Sequence, residues 1–406
     1  MIASSEDGSD SYDYAFQVPF THRIRFTQDV FTDETDVLLD CLEASHAPPK
    51  ILLIVEEHVA DANAAALEVF VERLERCSAV QLCGEPLRIA GGEPIKNTMD
   101  GVEFVLSAIN AHDLDRRSYV LVVGGGAVLD MVGYAAAIAH RGVRLIRLPT
   151  TTLAQGDSGV GVKNAVNYFN KKNWVGTFAV PWAVINDAAL LTTLPDRDFR
   201  CGFSECIKVS LLKDPDEFRF IRDRAADIHR RDMQVSCRVL KQSCLLHLRH
   251  IARGGDPFEA LEARPLDFGH WSAHKMEPMS GYRLRHGEAV AIGLALDCIY
   301  SNLALGLPAD DLEDICGCLR SLGLPMWDET LEDADQIMKG LEEFRQHLGG
   351  RLTVTMLEGV GKPVDVHEID DAAMREAIGR LRRRGRRAAP GVQMSAGFSA
   401  AKSTVG

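Results

Sequence analysis

At 406 residues the chain exceeds one compact core of usual size, so two domains are expected. Its 46% hydrophobic and 25% charged residues are those of an ordinary soluble globular protein. A net charge of −13 argues against nucleic acid or an acidic membrane surface as partner, and any anionic substrate must be met by a local cluster of Lys and Arg.

Residues 1–13 carry Ser, Asp, Gly and Glu with almost nothing to bury, which predicts a disordered N-terminus. Phe16 to Phe31 alternates in places and reads as an edge hairpin. KILLIVE (50–56) is an apolar run for a buried strand, followed by a helical stretch to Cys77. After QLCGEPLRIAGGEP come a helix from Asn97 to Ala111, a buried-type strand over 118–126, a helix over 127–140 and a strand over 144–150. Strands apolar on both faces that alternate with helices imply a parallel, Rossmann-like sheet covered by helices.

Beyond Pro195 the periods become helical, over 198–213, 216–252, 285–306, 309–322 and 332–348. One returning strand or hairpin is expected at 351–361. The expected organisation is an α/β N-terminal domain over 14–195, a mainly α-helical C-terminal domain over 196–385, and a basic, then small and polar, disordered tail over 386–406. Ten cysteines are scattered without a paired framework, and they read as reduced, mostly buried thiols. No run of 18 apolar residues exists and the first residues are acidic and polar, so the expected location is cytoplasmic, away from membranes.

Gly124-Gly125-Gly126 follows a buried strand and opens a helix of small residues. Glycines there let a backbone approach a pyrophosphate, whose charge is met by free N–H groups and the helix dipole. Asp130, one turn on, suits either helix packing or the nicotinamide half of a dinucleotide. Glu56, at the end of the first strand, is either an acceptor for ribose hydroxyls or an exposed carboxylate. The segment 149–176 is the densest polar stretch, with Lys163-Asn164 and Lys172-Asn173 among glycines and hydroxyls. Lysine supplies point charge and asparagine oriented donors, which suits a phosphate, and Arg141 stands just ahead of the strand leading in. Further on, Glu205 sits in GFSECIK, His270 in LDFGHWSAH and His286 in RLRHGEAVAIG. One carboxylate and two imidazoles form a ligand set for a catalytic divalent metal with positions left open. Lys208 and His274 lie one helical turn after Glu205 and His270, on the same faces.

Together these segments resemble the sugar-phosphate cyclase superfamily founded by 3-dehydroquinate synthase, over about residues 50 to 361. GGEPIK (91–96) is similar to the family's P-G-E-x-x-K, GGGAVLD to GGG-x-x-x-D, and RLPTTTLAQGDSGVGVKNAVN to V-P-T-T-L-L-A-x-V-D-S-S-x-G-G-K. GFSECIK, FGHWSAH and HGEAVAIG are similar to G-x-A-E-x-I-K, F-G-H-x-x-x-H and H-G-E-A-V-A-I-G. The resemblance implies a dehydroquinate-synthase-like fold and an NAD site at Glu93, Lys96, Gly125, Gly126, Asp130, Thr150, Thr151 and Asp157, to which Glu56 is added by its place at the strand end. It also implies zinc or cobalt on Glu205, His270 and His286. Lys163, Lys208, His274 and Asp157 take catalytic roles by the same likeness, and Arg141, Lys172, Asn173 and Arg264 bind phosphate or sugar.

Departures from the family pattern bear on the substrate. Ala263 and Asp267 stand where dehydroquinate synthases carry an Arg and an Asn ahead of the first ligand His, although Arg264 is adjacent. The stretch HLRHIARGGDPFEALEARP lacks a lysine expected to hold a substrate carboxylate. Loss of carboxylate partners with phosphate partners kept points to an uncharged sugar end, as in cyclases of sedoheptulose 7-phosphate. Those of the valiolone type usually carry proline at the position of His274, so the whole pattern most resembles the cyclase of ebo-type bacterial gene clusters. The implied activity is phosphate elimination and intramolecular aldol closure of a C7 sugar phosphate, sedoheptulose 7-phosphate or the dehydroquinate precursor, by a homodimer. The alternative is a metal-dependent polyol dehydrogenase of the glycerol-dehydrogenase type, which has no need of the phosphate-binding lysines. A silent binding protein would require a lost metal ligand or phosphate-binding lysine, and none of these is lost.

Overall fold

The computed structural model describes residues 12–169, 171–259, 265–346 and 351–388. Seven strands form one parallel sheet in the order β1-β9-β6-β5-β2-β3, with β4 also paired to β2. Their ranges are β1 Arg23–Thr27, β2 Lys50–Glu56, β3 Gln81–Leu82, β4 Leu87–Ile89, β5 Tyr119–Gly124, β6 Arg144–Pro149 and β9 Ala183–Asp187. Strand alternation divides the apolar residues between two faces. Leu52, Ile54, Val120 and Val122 pack on one side against Val102, Val105, Val128 and Val132. Ile51, Leu53, Val55, Leu121 and Val123 pack on the other against Phe31, Phe70 and Leu74. A parallel sheet covered on both faces is the architecture expected from the unbroken apolar runs.

Three expectations are corrected, and one pair of strands was not anticipated. Residues 16–31 form no hairpin: β1 alone joins the sheet edge, parallel to β9, with Arg23 paired to Ala183 and Thr27 to Asp187. Thr27 Oγ1 donates to Asp187 Oδ2 at 2.7 Å, a side-chain contact that fixes this register and that no local pattern announces. The polar segment 149–176 contains strands, β7 (Lys163–Tyr168) and β8 (Lys171–Phe178), which pair antiparallel with one another as a separate two-stranded sheet. The helical stretch 216–252 is two helices, Pro215–His229 and Met233–Arg253, separated where Arg231 adopts a left-handed φ of 63°. Finally, the basic run begins as ordered helix, completing Asp371–Ala388. Leu381 is buried there, and Arg382 and Arg384 pair with Glu332 and Glu313 of neighbouring segments, so acidic partners neutralise it. The rest of the tail and most of the N-terminal stretch lie outside the described residues, whereas Tyr12 and Asp13 are exposed.

A third core joins the helices after Leu191, with Phe203, Trp271, Ala289, Leu294, Leu319 and Leu381 among its members. Val354–Gly359 (β10) returns as expected and pairs antiparallel with Lys362–Val366 (β11). All ten cysteines are free, and all but Cys77 and Cys237 are buried. Among the described residues no helix is long and apolar enough to cross a membrane.

Candidate active site

The C-terminal ends of β2 and β5 meet at the glycine turn. Gly125 N donates to Glu56 Oε2 at 2.8 Å, and the first helical turn of Gly126–Ile138 begins there. A Cβ on Gly126 would stand 2.8 Å from Ser158 Oγ, and one on Gly91 only 2.0 Å from Glu56 Oε1. The turn is therefore glycine because backbone, carboxylate and loop converge on it. Glu56 is a half-buried acceptor at the helix N-terminus and so is not the exposed carboxylate of the second alternative.

Beside it, the short helical turn Glu93–Lys96 is tied to the β7–β8 hairpin. Lys96, 2% exposed, places Nζ 2.7 Å from Asp130 Oδ2 and also donates to Asn173 Oδ1. The Asn167 side chain donates to Glu93 Oε1 at 3.1 Å and to Asn97 Oδ1 at 2.8 Å, and accepts from Asn173 N at 2.9 Å. Lys172 then reaches across to the helical part of the chain, Nζ lying 2.7 Å from Glu277 Oε1. Burial opposes the charge of Lys172, yet Glu277 and Glu93 together raise its pKa.

Glu205 rides on the helix Phe203–Lys213, whose start presses on the turn after β6. A Cβ on Gly202 would lie 2.2 Å from Leu153 N, so only glycine admits this approach. Glu205 is 1% exposed, and its Oε1 stands 3.4 Å from His270 Nε2 and 3.5 Å from His286 Nε2. Neighbouring ligand atoms each about 2.0–2.1 Å from a tetrahedral zinc are separated by roughly 3.4 Å. Lys208 Nζ forms an ion pair 2.5 Å from Oε2, yet neither carboxylate oxygen accepts a hydrogen bond of sound geometry. An orphaned buried carboxylate facing two imidazole nitrogens fits a divalent cation. His270 Nδ1 lies 3.1 Å from Phe268 O and His286 Nδ1 3.1 Å from Glu277 Oε2, so both Nε2 atoms are turned to Glu205. His274 joins them: the three imidazoles each offer a nitrogen within 4.8 Å of the others.

Charges in this centre depend strongly on one another. Burial pushes the Glu205 carboxyl up, but Lys208 and His270 outweigh it and hold it well below the usual range. For His286 burial works downward, while Glu277 and Glu205 carry the imidazole up to about 9. For His274, which is exposed, the surrounding protein and the His270 charge both act downward.

Apart from Arg264, the remaining expected residues lie in the segment from Arg141 to Lys163. Thr150 N donates to Gly124 O at 3.0 Å, and Thr151 Oγ1 accepts from Ala154 N at 3.1 Å. Ala154–Ser158 is a π-helical turn carrying Asp157, whose Oδ1 lies 2.9 Å from His247 Nδ1. Burial pushes the Asp157 carboxyl up, but the Lys208 charge and the charge and hydrogen bond of His247 together bring it below its ordinary value. Lys163 is half exposed and paired with Glu259. Arg141 is not brought to the cleft within one chain. It is exposed with φ 63°, ahead of β6, whose six residues put its other end roughly 20 Å away. Arg264 lies outside the described residues. Sequence reading missed Glu277, Asn167 and His247. Glu277 was within reach of the pattern, being three residues after His274 and seven after His270 on one helix face.

Residues 86–201 match the profile of the 3-dehydroquinate synthase N-terminal domain, and residues 202–343 that of its C-terminal domain. The chain is 36% identical over 303 residues to 2-epi-5-epi-valiolone synthase of Streptomyces glaucescens, covering 73% of this chain and 77% of that one. It is 35% identical over 299 residues to 3-dehydroquinate synthase of Bradyrhizobium sp., covering 71% and 78%. The solved structure of the 2-epi-5-epi-valiolone synthase ValA from Streptomyces hygroscopicus subsp. jinggangensis, with NAD+ and Zn2+ bound, superposes with a TM-score of 0.83. That match has 25% identity and covers 92% of this chain and 100% of that one. With both halves of the fold and both domain profiles in agreement, the chain belongs to the 3-dehydroquinate synthase family.

Proposed function

We propose that this enzyme is a sugar-phosphate cyclase, dependent on NAD+ and a divalent metal, that eliminates phosphate from a C7 sugar phosphate and closes the product to a carbocycle. The observation that carries the reading is the convergence of Glu205 on His270 and His286 beside a cation-rich hairpin. Relatives named for this chemistry, one of them solved with NAD+ and Zn2+, support it.

NAD+ held at the glycine turn, Glu93, Lys96 and Asp130 would take a hydride from a ring carbinol and return it, and zinc or cobalt on Glu205, His270 and His286 would acidify that hydroxyl and polarise the carbonyl. This chain's residues do the rest. Lys163, Lys172 and Asn173 bind the phosphate and set it for departure by elimination. Lys208, buried against Glu205 and Asp157, orients the sugar hydroxyls. His274, exposed beside His270 and His286, holds and passes a proton at its ring nitrogen. After elimination the ring opens and an aldol step forms the carbocycle; a cofactor that gave back the hydride it took would leave no net redox change. Arg141 of the same chain is left out of this set because of its distance.

Asp267, near enough to raise the Lys208 pKa, and Asp157 would repel a substrate carboxylate. That favours sedoheptulose 7-phosphate over the dehydroquinate precursor. The deciding experiment compares phosphate release from the two with NAD+ and added zinc or cobalt. Stoichiometric phosphate without NADH accumulation is expected. Accumulating NADH with no phosphate released would instead identify a dehydrogenase.

A further inference from the structure

Glu277 is 3% exposed and spans two functional groups with one carboxylate. Its Oε1 lies 2.7 Å from Lys172 Nζ on the hairpin, and its Oε2 lies 3.1 Å from His286 Nδ1 on the next helix. We propose that Glu277 is a positioning residue that couples Lys172 to His286, so that phosphate and the divalent metal bind cooperatively. This rests on the assignment of Lys172 to phosphate and of His286 to the metal.

The physical argument starts from the shared carboxylate. With no anion present, Lys172 takes up part of the Glu277 charge. Lys172 sits on a two-stranded hairpin outside the main sheet, and its side chain keeps 20% exposure, so it can turn toward an incoming phosphate. Lys96 is held by Asp130 and Asn173, and Lys208 by Glu205, so neither buried lysine is free to replace it on Glu277. The released carboxylate then has His286 as its hydrogen-bonded partner. A carboxylate freed from an ammonium pulls harder on the imidazole Nδ1–H, and Nε2, turned toward Glu205, becomes the stronger donor to a cation. Phosphate therefore tightens metal binding, and linkage requires that the metal tighten phosphate binding by the same factor. Such a device would load the substrate's leaving group and the metal together, although the two sites lie on different parts of the fold.

The test uses full-length, metal-free protein titrated with chelator-buffered Co2+, with and without saturating inorganic phosphate. In the wild type, phosphate should lower the Co2+ dissociation constant by about 5–20-fold, within the usual range of coupling between sites. Glu277→Gln should weaken Co2+ binding by about 10–100-fold, as for other groups hydrogen-bonded to a ligand histidine, and should abolish the phosphate effect. Lys172→Met, a change on the exposed hairpin, should match the phosphate-saturated wild type without phosphate and respond no further. A wild type indifferent to phosphate, or a Glu277→Gln variant that keeps the full phosphate response, overturns the coupling while leaving the metal centre standing. Co2+ binding that survives Glu205→Gln unchanged overturns the metal centre and the coupling with it.

Discussion

A methyl group on Gly293 would lie 2.0 Å from the carbonyl oxygen of Gly269, so the helix His286–Ala304 meets the turn before His270 backbone to backbone. The two imidazole ligand candidates are brought together by this contact, since one follows Gly269 and the other begins the Gly293 helix. Gly293→Ala should cost about 1–3 kcal/mol of stability through overpacking. It should also lower metal content by moving His270. Thermal denaturation and metal analysis of the purified variant check both.

His270→Ala should abolish bound metal and turnover together. Glu205 would lose the imidazole 3.4 Å from its Oε1, and the remaining groups would leave the carboxylate paired chiefly with Lys208. Full turnover in a variant that holds no metal would refute the ligand assignment. Metal analysis beside a phosphate-release assay decides it.

Lys96→Met should weaken NAD+ binding and cost on the order of 3 kcal/mol, because Asp130 and Asn173 Oδ1 would lose their shared cation in a largely buried setting. Calorimetric titration with NAD+ and a urea melt report the two effects separately. A variant with wild-type affinity would place the dinucleotide elsewhere.

His22 supplies a pH prediction. Burial, then the charges of Arg147 and His247, push its imidazole from 6.5 down to about 4, against a hydrogen bond to Val160 O at 2.7 Å. Between those values the unfolded chain binds a proton that the folded chain refuses. This contribution to stability is therefore complete above pH 6.5 and is lost as pH falls toward 4. The loss is on the order of 3 kcal/mol across the whole window. His22→Gln should flatten the decline between about pH 7 and about pH 5, measured as the urea midpoint. An unchanged decline would mean that other groups carry it.

Much of the α/β half could be read directly. KILLIVE coincides with β2, and the predicted strands over 118–126 and 144–150 contain β5 and β6, because strands buried on both faces need apolar side chains at every position. The β7–β8 hairpin was not legible. β7 buries all four residues from Asn164 to Asn167, whereas β8 exposes Trp174 and Phe178, and their polar, lysine-rich composition resembles a loop. The edge hairpin expected at 16–31 failed for a related reason: partner choice at a sheet edge is made by a distant strand.

Local chemistry, written in short motifs, determined the kinds of group in the site: glycines at a strand end, lysines with asparagines, and a carboxylate with imidazoles. Those identities follow from spacing along a helix or turn, which sequence contains in full. Which groups meet was decided by tertiary packing alone. Glu277 gained two partners, from a hairpin over a hundred residues earlier and from the following helix, and Arg141 stands at the opposite end of β6 from the glycine turn, one strand length away. Contact between remote segments depends on how helices and sheet pack, and no single stretch of chain carries that information.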